Sequence, residues 1–586
     1  MLTLRRVTRF ATGSVFSGSL VGIVLYMRML QSADVSPLAF HFLFIAATTA
    51  MLILVLSDLS VSTKLIMIIS WTVTLQLVTP LRLPGDVISN YPDALYMYQI
   101  VKNVLASGRY SFGHGVELAL DYSFYPTMQV LGAVLILVTN INPIALMRFF
   151  PQLLVAPFIA LAFCTFRKFT LSDDHAVAAT AITASCFWMI YFLSRFVQSV
   201  VGAFFSLMLL FTLTRKSPAW TGVFIVSAVG VASAHLLSSL YVLVFFISAE
   251  IYSIVAKTIW KRATILQLTQ SRLALLMIVI LAWAVYPAIF ETGVLVGIIQ
   301  EALYGPFGLM RLSILTRAQP NPLFIRLLGD VGIVLYASLL TIGFIYLHKK
   351  NISHPCSRLL PYAFGAAVLF MIHMLAFSVG LPIQQISDLL SRGFFYPYLV
   401  GSPIAVFVLD KLLMRMNSVR ATHSEPSREL HKIPRASVGK RALGFVVIAL
   451  ILLASMYYYY APSRYDNSAP MNYEDARLPL EEWKTIGIWS SSHVQVNYLY
   501  GDKLVFDFVG GMGEKEVYIF PSEGRLIDWM HALSAGDLIV VRLSLATVPY
   551  EEFQTGRSDI TLVLTRNNVV YNAGDPIIVI LKQDGG

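Results

Sequence analysis

The chain has 586 residues, of which 57% are hydrophobic and only 13% are charged, and its mean hydropathy is +0.69. A soluble globular protein carries about twice that charged fraction, so the composition excludes a soluble enzyme or binding domain. The formal net charge of +10 does not indicate nucleic-acid binding, because the basic residues lie in short segments between apolar runs, where they set membrane topology.

The apolar residues form continuous runs of roughly 17–25 residues, the length that crosses a bilayer as a helix. They predict a polytopic α-helical membrane protein with about thirteen transmembrane helices. The predicted spans are residues 11–30, 37–57, 64–81, 144–166, 174–192, 197–213, 219–234, 236–256, 271–290, 328–347, 359–379, 394–414 and 442–460. Because Arg5, Arg6 and Arg9 precede the first run, we expect an uncleaved first helix and a cytoplasmic N-terminus.

A polar stretch, residues 82–125, follows the third predicted span and is therefore predicted to be an extracytoplasmic loop. Pro92 and Asp93 suit the first turn of a helix, and apolar residues follow at helical spacing, which predicts an amphipathic surface helix over 92–107. The next apolar run, 126–139, is short for a span, so we expect a second surface helix there. If that run crosses the membrane instead, every later orientation inverts.

The C-terminal part of the chain changes character. Residues 411–441 form the most basic segment and predict a cytoplasmic linker, and the last span, 442–460, ends in tyrosines typical of an outer interface. Residues 461–586 are polar, with short β-rich runs separated by Gly- and Asn-containing turns. The sequence thus predicts a transmembrane domain over 1–460 and an extracytoplasmic α/β domain over 461–586.

Acidic residues near the predicted outer membrane face are the first candidates for chemistry. Asp86 follows a Pro-Gly pair at the mouth of the third span. Such a carboxylate can act as a general base, or hold a divalent cation (Mg²⁺ or Mn²⁺) against a phosphate leaving group. Asp93 and His114 in the same loop, and Glu301 in the later outer loop 291–325, are candidates for substrate contacts. An ordinary solvated loop residue is the alternative for each.

Three residues at the predicted outer ends of spans are candidates for contacts to phosphate or sugar. His235 ends an outward span and is followed by serines; the alternative is a packed histidine with satisfied hydrogen bonds. Arg195 is either a phosphate contact or an arginine that reaches the membrane interface. Arg392 opens a late span from the outer side, where basic residues are disfavoured, and a guanidinium beside aromatic residues suits a lipid-linked phosphate.

The order of these features resembles the GT-C superfamily of membrane glycosyltransferases, in its prokaryotic multispan branch. The resemblance covers about residues 80–410 and rests on the stretches GDVISNYPDALYMYQIVKNVLASGRY, YPTMQVLGAVLILVTNINPIALMRFF, SAHLLSS and SRGFFYPYLVGSPIAV. It implies catalysis at the outer face with a polyprenyl-phosphate-linked sugar donor. It also implies that Asp86 is the general base or a metal-linked acid and that Arg392 contacts the donor phosphate.

The sequence departs from that family at several points. Asp86 is followed by Val87, where the family has paired acids, and the tail has no WWDYG-like motif, so oligosaccharyl transfer to asparagine is not expected. The expected partners are a lipid-linked sugar donor, membrane lipids and a glycan, lipid or protein acceptor in the plasma membrane. Two alternatives stay open: a non-enzymatic transporter or flippase of lipid-linked sugars, and a membrane receptor or scaffold. Charges concentrate at span ends, which favours surface chemistry over transport.

Overall fold

A computed structural model shows α-helices up to residue 453 and β-strands after residue 498. The described residues are 2–29, 37–82, 92–112, 123–186, 196–213, 215, 217–260, 270–288, 323–350, 355–378, 395–414, 446–453, 499–501, 517–519, 538–542, 568–572 and 577–581. The chain divides into two compact units, Met1–Arg82 with Phe149–Arg464 and Leu83–Arg148 with Tyr465–Gly586.

The helices follow the apolar runs of the sequence closely. They are α1 (Leu2–Met29), α2 (Pro37–Val55), α3 (Val61–Arg82), α4 (Pro92–Ser107), α5 (Thr127–Thr139), α6 (Pro143–Leu153), α7 (Val155–Phe166), α8 (Asp173–Ala184), α9 (Gln198–Leu213), α10 (Ala219–Ala232), α11 (Leu236–Thr258), α12 (Gln270–Val285), α13 (Leu323–Lys350), α14 (Leu360–Ser378) and α15 (Phe395–Met414). A 3₁₀ helix, Pro355–Leu359, precedes α14.

The first unit is a helical bundle with α15 at its centre. Every residue of α15 from Phe395 to Leu409 is buried, and the helix packs on α8, α13 and α14. Helix α11 packs along α14, and α1 packs on α2 and α3. Many large apolar side chains on the outer surfaces of α1, α10 and α12 are exposed, as expected for helices that face lipid.

Four helical segments among the described residues are long and apolar enough to cross a membrane: Val7–Met29, Val61–Val78, Pro143–Phe166 and Leu236–Thr258. Helices also occupy the other predicted spans up to residue 414. The described part is therefore that of a polytopic helical membrane protein, while the number of thirteen crossings stays a prediction.

One predicted span differs in its details from the structure. Residues 144–166 form two helices, α6 and α7, with a turn at Leu154, whose N–H donates to the Pro151 carbonyl at 3.1 Å. This turn is caused by Pro157, because proline has no N–H to donate to the carbonyl one turn earlier. The predicted linker 411–441 begins inside α15, and its residues from 415 onward lie outside the described part of the chain.

The second unit contains α4, α5 and a small sheet. Helices α4 and α5 pack on each other and coincide with the predicted helices 92–107 and 126–139; their position on the membrane surface stays a prediction. Between them the Tyr110 hydroxyl donates to the Ser123 carbonyl at 2.7 Å, and burial raises the pKa of Tyr110. This bond joins the end of α4 to the segment that leads into α5.

The strands of this unit are β1 (Leu499–Gly501), β2 (Val517–Ile519), β3 (Leu538–Arg542), β4 (Asn568–Asn572) and β5 (Ile577–Leu581). They form one sheet in the order β2-β1-β3-β5-β4, in which β1 is parallel to both β2 and β3. Strand β5 runs antiparallel to β3 and to β4. A mixed sheet with parallel crossovers is typical of α/β proteins, but the connecting segments lie outside the described residues.

Candidate functional site

Most of the residues predicted from the sequence to form the site lie outside the described part of the chain. These are Asp86, His114, Arg195, Glu301 and Arg392, and their roles stay predictions.

Two of the predicted site residues lie in the described part. Asp93 is the second residue of α4 in the second unit, and nothing is described of its side chain. His235 is described fully and stands in the first unit, directly before α11. The described part of the candidate site therefore centres on His235.

His235 occupies the break between α10 and α11. Its backbone is extended, with φ −168° and ψ 133°, and it is the N-cap residue of α11. The Ser239 hydroxyl lies 3.0 Å from the His235 carbonyl and 3.0 Å from the Val231 carbonyl. Because one serine contacts both sides of the break, the end of α10 and the start of α11 are held together at His235.

Helix α9 approaches the start of α11 closely. A Cβ atom added at Gly202 would lie 2.6 Å from Ser238 Oγ, so only glycine permits this approach. Ser206, one turn further along α9, donates to the Gly202 carbonyl at 2.7 Å. The first turn of α11 is thus pressed against α9.

Tyr396, in the first turn of α15, meets both of these helices. Its hydroxyl lies 3.3 Å from Ser206 Oγ and 3.4 Å from the Ser238 carbonyl. Its ring is buried and packs against Tyr241 and Phe245 of α11, with ring centroids 6.0 and 5.5 Å away. The starts of α11 and α15 therefore meet at one end of the bundle.

A second group of hydroxyls surrounds the following turns of α15. The hydroxyl of Thr183, near the end of α8, has two acceptors, the Tyr398 carbonyl at 3.2 Å and Ser402 Oγ at 2.9 Å. Ser402 in turn donates to the Tyr398 carbonyl at 2.6 Å. Tyr336 of α13 donates to the Pro397 carbonyl at 2.8 Å. Its ring stacks on that of Tyr398 with a centroid distance of 4.1 Å. Neutral donors thus fix the start of α15 on two sides.

The ion pairs of the described first unit lie elsewhere, at the end where α8 begins and α15 finishes. They join Arg9 to Asp58, Lys64 to Asp174 and Arg167 to Asp173, and at the same end His175 Nε2 lies 3.6 Å from an Asp410 carboxylate oxygen. Among the described residues no group of three or more His, Cys, Asp or Glu side chains could hold a metal ion. Asp86, the residue predicted from the sequence to hold a divalent cation, lies outside the described residues.

Sequence reasoning identified His235 but missed Tyr396, Ser206 and Thr183. The signal for His235 is local, since a histidine followed by serines interrupts an apolar run. Tyr396 and Ser206 are 190 residues apart, and each looks like an ordinary polar residue inside an apolar run. No sequence pattern marked their contact.

No family model matches the sequence, and no curated protein matches it. Among solved structures, the chain is similar to the oligosaccharyltransferase AglB of Archaeoglobus fulgidus in complex with an inhibitory peptide and a dolichol-phosphate. The TM-score is 0.49 and the identity 10%, over 83% of this chain and 69% of that one. It is also similar to ArnT of Cupriavidus metallidurans bound to undecaprenyl phosphate, with a TM-score of 0.49 and 12% identity, over 90% and 99% of the two chains. At these scores and identities the likeness decides neither the family nor the activity of this chain.

Proposed function

We propose that the protein is a GT-C-type membrane glycosyltransferase. It moves a sugar from a polyprenyl-phosphate-linked donor to an acceptor at the extracytoplasmic membrane face. The observation that supports this most is the meeting of α9, α11 and α15 at Tyr396, because the sequence independently placed candidate contacts for phosphate or sugar at the starts of these three helices. Those candidates are Arg195 ahead of α9, His235 at α11 and Arg392 ahead of α15.

Chain connectivity supports a shared site for His235 and Arg392. Arg392 precedes Phe395, the first residue of α15, by three positions. An extended chain advances by at most about 3.6 Å per residue, so three residues span at most about 11 Å. In this proposal both candidates belong to one end of the bundle, which the bond from Tyr396 to the first turn of α11 supports.

The proposed chemistry divides among three residues. The bond between the anomeric carbon and the donor phosphate breaks, and the acceptor oxygen forms a new bond to that carbon. Asp86 takes the proton of the acceptor hydroxyl, while the Arg392 guanidinium binds the polyprenyl phosphate that leaves, through paired N–H donors. His235 donates a hydrogen bond to the phosphate or the sugar. A divalent cation, if bound, would be held by Asp86 and would supply stabilisation of negative charge on the phosphate.

Four further residues are proposed as substrate contacts. Arg195 stands ahead of α9, Asp93 and His114 belong to the first outer loop, and Glu301 belongs to the second. In this proposal the membrane is the plasma membrane, the N-terminus is cytoplasmic and the C-terminal α/β domain is extracytoplasmic. The acceptor is a glycan, a lipid or a protein.

The test is sugar transfer from a radiolabelled undecaprenyl-phosphate-linked sugar in membranes that contain the full chain. Asp86→Asn is expected to lower kcat by about 10²- to 10⁴-fold, the contribution of a general base, with little change in donor affinity. Arg392→Ala is expected to weaken donor binding by about tenfold or more. Asp58→Asn is the matched control, because Asp58 pairs with Arg9 at the other end of the bundle, and it should leave transfer within twofold.

Three outcomes would count against the proposal. Unchanged turnover with both Asp86→Asn and Asp86→Ala removes Asp86 from the chemistry. Unchanged donor affinity with Arg392→Ala removes Arg392 from the site. Movement of the labelled lipid across vesicle membranes without any transfer of sugar would support the transporter instead.

A further inference from the structure

The Tyr396 hydroxyl lies where helices α9, α11 and α15 meet, and its single hydrogen has two acceptors. Ser206 gives its own hydroxyl hydrogen to the Gly202 carbonyl at 2.7 Å, so its oxygen receives rather than donates in the contact with Tyr396. The hydrogen of Tyr396 therefore points between Ser206 Oγ at 3.3 Å and the Ser238 carbonyl at 3.4 Å. One hydroxyl of α15 thus links α9 to the first turn of α11.

We propose that Tyr396 is a positioning residue that sets the place of His235 relative to the chain leading to Arg392. This inference rests on the proposed function, in which His235 and Arg392 contact the same lipid-linked donor. Tyr396 follows Arg392 by four positions and bonds to the carbonyl of Ser238, three positions after His235. It therefore joins the start of α15 to the turn that follows His235.

The surroundings explain why the hydroxyl, rather than the ring, carries this role. The ring is held by Tyr241 and Phe245 of α11, with centroids 6.0 and 5.5 Å away, and its exposed fraction is 4%. A phenylalanine at this position would keep these apolar contacts. The hydroxyl alone reaches the backbone of the first turn of α11, so its removal leaves the Ser238 carbonyl without this donor while the core stays packed.

Two other described contacts restrain the start of α11, and neither one replaces Tyr396. Ser239 ties the His235 carbonyl to the Val231 carbonyl, which fixes α11 relative to α10. The close approach at Gly202 blocks movement of Ser238 toward α9 but does not prevent movement away from it. Among the described residues, the Tyr396 hydroxyl is a donor from α15 that reaches the backbone of this first turn, and loss of one such bond is worth about a threefold to tenfold change in an equilibrium.

The first test is hydrogen–deuterium exchange of the full chain in detergent micelles, comparing the wild type with Tyr396→Phe. We expect the amides of residues 239–242 to exchange about threefold to tenfold faster in the variant, because the first turn of α11 opens more often. Tyr362→Phe is the matched control: Tyr362 is also buried against Phe245, at 5.6 Å between ring centroids, but lies on α14. It should leave these amides unchanged.

The second test is a double-mutant cycle on the affinity for undecaprenyl phosphate, used as the probe of the donor site. Tyr396→Phe alone should weaken binding about threefold to tenfold. In a His235→Ala background the same substitution should weaken it by less than twofold, because the residue through which Tyr396 acts is then absent. Tyr362→Phe should leave the affinity unchanged in both backgrounds.

The outcomes separate this inference from the proposed function. Unchanged exchange at residues 239–242 overturns the positioning role, and so does an equal loss of affinity in both backgrounds, which would mark a general structural effect. Faster exchange with unchanged affinity also overturns it. If the wild type does not bind undecaprenyl phosphate, the proposed function fails, while the exchange experiment still decides whether Tyr396 orders the start of α11.

Discussion

The two ends of the helical bundle in the first unit hold their polar side chains in different ways. Where α11 and α15 begin, the described contacts are made by hydroxyls, such as those of Tyr396 and Thr183. Where α8 begins and α15 finishes, charged groups pair: Lys64 Nζ lies 2.6 Å from an Asp174 carboxylate oxygen. At the same end of the bundle, His175 Nε2 lies 3.6 Å from a carboxylate oxygen of Asp410.

The difference follows from the energy of burying charge. The Lys64 side chain is 2% exposed, but the Asp174 side chain is 72% exposed, so the pair keeps one partner in contact with solvent. At the hydroxyl end the polar groups of α15 are fully enclosed, and an ion placed there would cost several kcal/mol of solvation. The candidate charged contacts predicted from the sequence, Arg392 and Arg195, stand ahead of the helix starts in the chain.

The largest effect is expected at the charged end, from Asp174→Asn. The substitution leaves the buried Lys64 ammonium without a carboxylate, and we expect the free energy of unfolding to fall by about 2–3 kcal/mol, less than for a fully buried pair. Unfolding by SDS in mixed micelles measures it. The double variant Lys64→Met with Asp174→Asn should recover most of the loss. A loss below about 0.5 kcal/mol in the single variant would show that Lys64 reaches solvent by itself.

At the hydroxyl end, Gly401→Ala tests the packing between α13 and α15. A Cβ atom there would lie 2.5 Å from the Tyr336 hydroxyl, displacing it from the Pro397 carbonyl, so we expect stability to fall by about 1–2 kcal/mol. Adding Tyr336→Phe removes the clashing oxygen and should restore part of the loss. Gly222→Ala is the control: its Cβ would meet nothing within 4 Å, and stability should rise by about 0.5–1 kcal/mol. Equal effects at both glycines would contradict this description.

A smaller effect is expected from Thr183→Val, which keeps the shape of the side chain but removes a buried donor between α8 and α15. The expected loss of stability is about 1 kcal/mol. Thr180→Val is matched to it on the same helix, because Thr180 donates only within α8, to the Ala176 carbonyl at 2.8 Å. If both valines cost the same, the bond from Thr183 to α15 adds nothing.

The smallest effect is expected from Asp173→Asn, again at the charged end. Asp173 pairs with Arg167 at 2.7 Å, but the two side chains are 40% and 60% exposed. Such a pair contributes about 0.5 kcal/mol or less, and salt screens it. Unfolding measured at low and at high salt should therefore differ between Asp173→Asn and the wild type only at low salt. A loss as large as that of Asp174→Asn would mean that burial does not decide the difference.

Much of the helical architecture could be predicted because its signal is local. Apolar runs that end in charged or turn-forming residues placed α11 at 236–256 and α15 at 394–414, within two residues of the observed Leu236–Thr258 and Phe395–Met414. The break at Leu154 was missed because the apolar run continues across it, although Pro151 and Pro157 both lie in that run and lack an N–H.

The candidate site was predictable only in part. His235 could be found because it interrupts an apolar run, and it lies at the start of α11 as the sequence indicated. Its role in binding, like those of Asp86 and Arg392, stays a prediction. Sequence reasoning could not find the partners of the first turn of α11. Tyr396 directly follows phenylalanines in an apolar run, and nothing in its neighbourhood sets its hydroxyl apart.

The sequence by itself determined that this is a helical membrane protein, roughly where most of its described helices lie, and which residue types stand ahead of them. These properties depend on burial and hydrogen bonding within a single segment of about twenty residues. Only the tertiary structure decided that Ser206, Ser238 and Tyr396 meet, because such contacts join segments far apart in the chain. Their bonds exist only after separate apolar faces have packed, and no local pattern records which hydroxyl will then face which carbonyl.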